Sequence, residues 1–138
     1  ADNQKERLGI ISFYFDDIHF NLVVKILNDR FGVQVRGGCA CAGTYGHYLL
    51  DVSYETSRSI TDRINSGDLS LKPGWIRISL HPTMTDDELL YIIDALKKIR
   101  DNIGTWQDDY VYNNKTNEFR HISDPADKTL LVTNWFEL

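Results

Sequence analysis

The chain has few of the features that would place it outside the cell, in a membrane or on a nucleic acid. Its 138 residues include only two cysteines, and these are one residue apart, so they form no disulfide framework and favour the reducing cytoplasm. No apolar run approaches the ~20 residues that a membrane-spanning helix needs, and residues 1–7 are too polar for a signal peptide. A net charge of −5 without a basic cluster argues against nucleic-acid binding.

Length and composition predict one globular domain with a real core. Hydrophobic residues make up 42% of the chain and charged residues 25%, which is ordinary for such a domain. The sequence begins with Ala rather than Met, and a buried-strand pattern begins at Leu8 with no element before it. We therefore expect the chain to be part of a longer protein.

The first third of the chain predicts a strand, a helix and a second strand. Residues 8–15 are rich in β-branched and aromatic side chains, which favours a strand. Asp16–Asp17 offers an N-cap for a helix that ends at Gly32, and residues 33–36 predict a short strand. The apolar positions with helical spacing are Phe20, Val23, Val24, Leu27 and Phe31.

The remainder adds further helices, a strand and a hairpin. Residues 44–67 are weakly helical, and residues 75–80 alternate as a strand does. A capping box at 85–88 opens a helix that is predicted to end at Gly104, and a hairpin is expected within 110–121. The apolar face of that helix comprises Leu89, Ile92, Ile93, Leu96, Ile99 and Ile103. The element order predicts an α+β fold: a small, mainly antiparallel sheet with helices on one face.

Strand alternation predicts that two arginines share one face of the sheet. If Ile76 and Ile78 pack against the helices, Arg77 points to the opposite, helix-free face. By the same alternation in residues 33–36, Arg36 lies on that face too. Two guanidinium groups side by side predict a surface that receives an anion.

Arg36 leads directly into a loop whose sequence, at 35–43, is VRGGCACAG. Glycines let the backbone turn sharply and approach a ligand closely, and a nearby arginine lowers the pKa of a thiol. The segment is therefore predicted to be a site loop. A metal site made of Cys39, Cys41 and His47 would have too few ligands at unsuitable spacing, so no metal is predicted.

Five segments in this order resemble one protein family: GIISF at 9–13, Ile18–His19 at the start of a helix, VRGGCACA at 35–42, GWIRISL at 74–80 and the capped helix after them. They resemble the C-terminal small domain of class V aminotransferase-fold enzymes, which use pyridoxal 5′-phosphate (PLP). The cysteine desulfurase and selenocysteine lyase branch is most similar. The resemblance implies that residues 1–104 form the small domain. Residues 105–138 are then a C-terminal extension, expected to pack on the same domain as a hairpin.

The resemblance also implies roles for individual residues. In the family, an Arg-x-Gly-x-x-Cys-Ala loop carries the sulfur-accepting cysteine, which makes Cys41 the catalytic candidate and Arg36 the arginine five residues before it. The arginine of the following strand, which holds the substrate carboxylate, corresponds to Arg77. His47 is a further substrate-binding candidate because residues 45–48 could line the site; a local hydrogen-bonding role is the alternative.

The cofactor and the partners are also implied by the resemblance alone. They are PLP, an amino-acid substrate, a second copy in a homodimer and a large domain upstream, because no Ser-x-His-Lys segment with the PLP lysine occurs here. The chain by itself is then expected neither to bind PLP nor to be active.

Two other interpretations stay open. The domain could belong to an aminotransferase, in which Arg36 and Arg77 matter and Cys41 does not. It could instead be a cofactor-free thiol or partner-binding module. The segment between Cys41 and Arg77 is longer than in desulfurases, so the substrate need not be cysteine.

Overall fold

The computed structural model of the chain describes residues 8–39 and 43–124. Its strands are β1 (Ile10–Phe13), β2 (Arg36–Gly38), β3 (Trp75–Ser79), β4 (Tyr110–Asn113) and β5 (Glu118–His121). Its helices are α1 (Phe20–Phe31), α2 (Gly43–Leu49), α3 (Tyr54–Asn65) and α4 (Asp86–Trp106), and the 3-10 helix Gln107–Asp109 follows α4. The predicted α+β fold with a small antiparallel sheet is confirmed.

The main sheet has three strands in the order β1-β3-β2, and both pairings are antiparallel. β4 and β5 form a separate antiparallel hairpin. In the central strand β3, Ile76 and Ile78 are buried while Trp75 and Arg77 are only partly covered. Alternation along this strand therefore separates a core face from a second, more open face, as predicted.

The core lies between the sheet, α1, α4 and the hairpin. Burial of the apolar side chains that these elements contribute to the core is the main force that holds them together. Tyr110 of the hairpin is 8% exposed, and Phe119 packs against the same cluster, so the hairpin is part of the core. The fully buried residues with the largest side chains are Ile26, Leu27, Ile76, Ile99 and Val23.

Helix α1 begins directly after His19, as the Ile18–His19 motif indicates, and not at the predicted Asp16–Asp17 cap. Asp16 and Asp17 do not cap it; they form the turn between the bridge partners Phe15 and Ile18. His19 is the N-cap instead, and its Nδ1 atom accepts a hydrogen bond from the Asn21 N–H at 3.1 Å. The end of the helix is as predicted, at a glycine with a φ of 65°.

Strand β2 lies further along the chain than the predicted 33–36. Val33 and Val35 alternate because both pack against the core, and the Val33 N–H donates to Leu27 O rather than to a strand. The ladder forms only where Trp75–Arg77 are available as partners.

The predicted capping box at the start of α4 is confirmed. The side chains of Thr85 and Glu88 each accept a hydrogen bond from the other residue's backbone N–H. The helix does not end at Gly104 but continues to Trp106, because Ile103 and Trp106 both pack against the core. Ile93, predicted to face the core, is 39% exposed.

The hairpin is attached to α1 at Asn117, which has a φ of 59° and is 8% exposed. Asn21 Nδ2 donates to the Asn117 carbonyl at 2.5 Å, and the Tyr112 hydroxyl donates to its Oδ1 at 2.8 Å. Asparagine tolerates this left-handed backbone better than most residues. These bonds tie the hairpin to the first turn of the helix.

The division into residues 1–104 and 105–138 stays a prediction. The extension also contains an apolar run at 129–136, which lies outside the described residues. None of the helices within residues 8–39 and 43–124 is long and apolar enough to cross a membrane.

Candidate functional site

The register of the sheet places the two arginines directly opposite one another. Arg36 of β2 is the partner of Arg77 of β3, and Ser12 of β1 is the partner of Arg77 on the other side. Directly opposed residues of antiparallel strands project to the same face, with Cβ atoms about 5 Å apart. Ser12, Arg77 and Arg36 therefore form a row across the open face of the sheet.

Two glycines let α1 approach the strands that carry this row. A Cβ atom at Gly37 would lie 2.7 Å from Asn21 Oδ1 and 3.1 Å from the Phe20 ring. A Cβ atom at Gly74 would lie 2.6 Å from the same ring and 2.9 Å from Gly38 Cα. Gly38 itself has a φ of 108°, which a residue with a side chain rarely adopts. Gly37 and Gly74 thus allow β2 and β3 to pack closely against the start of α1.

Neither arginine is neutralised by the residues that the structure describes. Neither side chain forms an ion pair or a hydrogen bond among them, and Arg77 Nε is buried without a partner. Like charges directly opposite one another destabilise a sheet, and a buried donor without an acceptor costs about 1–3 kcal/mol. A bound anion would remove both penalties.

At one end of this face, helix α2 approaches Trp75. A Cβ atom at Gly46 of α2 would lie 3.1 Å from the Trp75 ring and 3.6 Å from Cys39 Cβ. Trp75 shares the face of Arg77 by alternation. Because Gly46 has no side chain, α2 can lie directly against the indole. Arg36 is nevertheless exposed.

Of the two cysteines, only Cys39 lies within the described residues. It is a free, half-buried thiol next to α2. Cys41 lies outside the described residues, so its catalytic role stays a prediction. Within residues 8–39 and 43–124, no three His, Cys, Asp or Glu side chains are arranged to hold a metal ion.

His47 connects α2 to α3. Its Nδ1 atom is 2.6 Å from Ser57 Oγ. Among the described residues its hydrogen bond goes to this hydroxyl and not to either arginine. A substrate-binding role for His47 stays a prediction, and local hydrogen bonding is what the structure shows.

The sequence analysis missed Ser12 and Gly46 as neighbours of the site. Ser12 is the one polar residue of β1, and this interruption of an apolar strand could have indicated it. For Gly46 the sequence carries no comparable signal, because its role depends on where α2 lies.

A protein-family model described as aminotransferase class V matches residues 1–92. The chain belongs to the aminotransferase class V family. The matched region of this class V chain contains Arg36, Arg77 and the loop between Arg36 and Gly43. Comparisons with curated proteins and with solved structures find no match.

The class V family is PLP-dependent, but the sheet face that carries Arg36 and Arg77 does not fit PLP itself. The cofactor needs a lysine for its attachment, and β1, β2 and β3 contain none. Lys25 and Lys98 are held in ion pairs with Asp29 and Asp94. The open face of the sheet fits a carboxylate rather than the cofactor.

Proposed function

We propose that the chain is the substrate-binding part of a PLP-dependent class V enzyme that acts on an amino acid, most similar to the desulfurases and lyases. The observation that carries the proposal is the opposed pair of arginines, Arg36 and Arg77, which have no acidic partner among the described residues. Membership of the class V family gives this pair a ligand of the right kind, because an amino acid always brings a carboxylate.

The two arginines have different surroundings and hence different roles in this proposal. Arg77 is on the central strand, half-buried, and its backbone is fixed by ladders on both sides. Such a guanidinium can hold a carboxylate through two parallel hydrogen bonds and set its orientation. Arg36 is on the edge strand and exposed, so it adds charge and a second contact from the side of the loop.

The resemblance assigns the sulfur-accepting role to Cys41. Arg36 begins the segment that leads to this residue, and a nearby guanidinium favours the thiolate, which is the reactive form. Free thiols are kept reduced in the cytoplasm, which is the location that we propose.

The cofactor comes from elsewhere in the protein in this proposal. A large domain upstream supplies PLP and its lysine, and the complete enzyme is a homodimer. When bound, PLP acts as the electron sink for chemistry at the substrate amine. The residues of this chain bind the substrate, orient its carboxylate and present the thiol.

The test compares three arginine substitutions in the complete enzyme. We expect Arg77→Met to lower kcat/KM for the amino-acid substrate about 100-fold, since a charged hydrogen-bonding partner is lost. Arg36→Met should have a smaller effect, and Arg58→Met on the exposed surface of α3 is the matched control. Unchanged kcat/KM in Arg77→Met would refute the proposal.

Cys41→Ala distinguishes sulfur chemistry from the alternatives. Loss of turnover, together with a persulfide trapped on Cys41 of the unmodified enzyme, supports the desulfurase interpretation. Full turnover in Cys41→Ala together with loss in Arg77→Met would identify an enzyme without a cysteine role, such as an aminotransferase.

A further inference from the structure

Three of the four histidines form the same local hydrogen bond. In each, Nδ1 accepts from the backbone N–H two residues later: His19 from Asn21 at 3.1 Å, His81 from Thr83 at 3.3 Å and His121 from Ser123 at 3.2 Å. His81 and His121 also contact the hydroxyl of that later residue at 2.7 Å. His19 has no such hydroxyl and instead opens a helix.

The ring of His19 lies among aromatic side chains. It stacks on Phe20 with the centroids 4.7 Å apart, and it is tilted against Tyr112 and Phe119 at 5.2 Å from each. Its Nε2 atom is buried without a hydrogen bond of good geometry among the described residues, although the Asn117 side chain lies near enough to favour the protonated ring. Because Nδ1 accepts a hydrogen bond, the neutral ring carries its proton on Nε2.

Phe20 links this ring to the candidate site. Its ring would lie 2.6 Å from a Cβ atom at Gly74, which has no room for one, and 3.1 Å from a Cβ atom at Gly37, where Asn21 Oδ1 is closer still at 2.7 Å. Gly37 belongs to β2, next to Arg36, and Gly74 immediately precedes β3. A shift in the first turn of α1 is therefore transmitted to both strands, because close-packed interiors pass on small displacements.

We propose that His19 is an acid-sensitive positioning residue for the sheet face that carries Arg36 and Arg77. The neutral ring caps α1 and holds Phe20 against the two strands. The protonated ring has no free lone pair on Nδ1, so it loses the hydrogen bond from Asn21 and repels that N–H. The first turn of α1 then loosens, and the contact of Phe20 with β2 and β3 loosens with it.

The electrostatics around the ring favour its neutral form. Burial lowers the pKa of His19 below its ordinary 6.5, and the side chain of Asn117 opposes this in part. No charged group among the described residues contributes to that shift. On the hairpin side, the titratable group in contact is Tyr112, whose pKa is raised first by burial and then by the Asp68 carboxylate, so it stays neutral here.

The sign of the effect follows from the lowered pKa. The unfolded chain takes up the proton first as the pH falls, so His19 contributes its full stabilisation above pH 6.5. This contribution is lost progressively below that value, down to the pKa of the folded state. His81 is exposed, and its cap begins no long helix, so a substitution of His81 is the matched control.

The experiment is an NMR titration of the whole chain from about pH 8 to about pH 5, the range in which histidines change charge. We expect the His19 ring to titrate below pH 6.5, the ordinary value of the side chain. The amides of Asn21, Gly37 and Gly74 should shift with the His19 midpoint. Amide exchange in the first turn of α1 should accelerate about fivefold beyond the intrinsic pH effect, the factor that fits the loss of an N-cap.

Two outcomes would overturn the proposal: His19 titrating at or above pH 6.5, or the amides of Gly37 and Gly74 failing to follow its midpoint. In the variant His19→Asn, which keeps an N-cap acceptor but cannot titrate, the shifts of Gly37 and Gly74 should vanish. His81→Asn should leave them intact. If His19→Asn does not fold, the titration of the unmodified chain still decides the matter.

The consequence for substrate binding rests on the proposed function, because it needs Arg36 and Arg77 to bind a carboxylate. The NMR readouts use no substrate. A failure of the arginine substitutions to affect turnover would therefore refute the proposed function while leaving the His19 coupling standing, and the reverse result would do the opposite.

Discussion

The cations of α1 and those of the open sheet face have opposite surroundings. Lys25 pairs with Asp29 at 2.9 Å and with Asp124 at 3.4 Å. Arg30 pairs with Asp109 and also lies 4.5 Å from the centroid of the Trp106 ring. The arginines of the sheet face have no such partner among the described residues, although the chain contains 20 acidic residues to 15 basic ones.

This difference separates charges that hold the fold together from charges that are available to a ligand. Where a cation joins α1 to the hairpin or to α4, the chain places a carboxylate beside it. Where Arg36 faces Arg77, the fold accepts repulsion, and no described acidic residue serves as a counter-ion. A pair of this kind is typical of a binding surface, because a structural role would favour neutralisation.

Among single substitutions, one that disturbs the packing between α1 and the sheet should reduce the stability of the fold most. Gly74→Ala places a methyl group 2.6 Å from the Phe20 ring and 2.9 Å from the backbone at Gly38, so we expect a loss of about 2 kcal/mol in unfolding free energy. Gly43→Ala is the matched control, because nothing lies within 4 Å of its new methyl group. Urea unfolding measures both, and equal stability of the two variants would contradict the close contact.

Removing one cation from α1 and one from the sheet face should have different effects on stability, both smaller than that of Gly74→Ala. Arg30→Met loses the partly exposed ion pair and the contact with the Trp106 ring, so we expect a loss of about 1 kcal/mol. Arg77→Met keeps an unbranched stem and relieves repulsion, so its stability should stay within about 0.5 kcal/mol or rise. Thermal unfolding at matched pH checks both. An equal loss in both variants would mean that Arg77 serves the fold.

The smallest effect is expected at the exposed start of α4, remote from both regions. The backbone N–H of Thr85 and then its hydroxyl lower the pKa of Glu88 below its ordinary 4.5. Its contribution to stability is therefore complete above pH 4.5 and is lost as the pH falls through the pKa of the folded state. Comparison of unfolding midpoints between about pH 6 and pH 3 should show a shallower decline in Glu88→Gln than in the unmodified chain.

The sequence predicts the elements whose signals are local. The spacing of Phe20, Val23 and Leu27 predicts α1, and Thr85 with Glu88 predicts the start of α4. Both signals depend on residues within a few positions of one another. The alternation in 75–80 likewise predicts which face of β3 is buried.

Errors occur where distant contacts decide the local structure. Gly104 looks like the end of a helix, but the packing of Ile103 and Trp106 carries α4 past it. Residues 33–36 look like a strand, but β3 sets the position of β2 three residues later. Asp16–Asp17 looks like an N-cap, but these residues form a turn and His19 caps the helix.

The candidate site shows the same division. Alternation is enough to predict that Arg36 and Arg77 share a face, whereas the register that opposes them depends on where the ladder starts. The helix over Trp75 depends on the absence of a side chain at Gly46, which has meaning only once the two segments are in contact. Evidence on Cys41 must come from chemistry on the enzyme.

The region that matches the family model does not include the whole core of the described residues. The family match ends at residue 92, inside α4, whereas Ala95, Ile99 and Tyr110 lie beyond it in the same core. A chimera joined at residue 92 would divide α4 between two proteins and remove core residues that pack with α1. Exchange of specificity between class V enzymes should therefore move the strands, α4 and the hairpin as one piece.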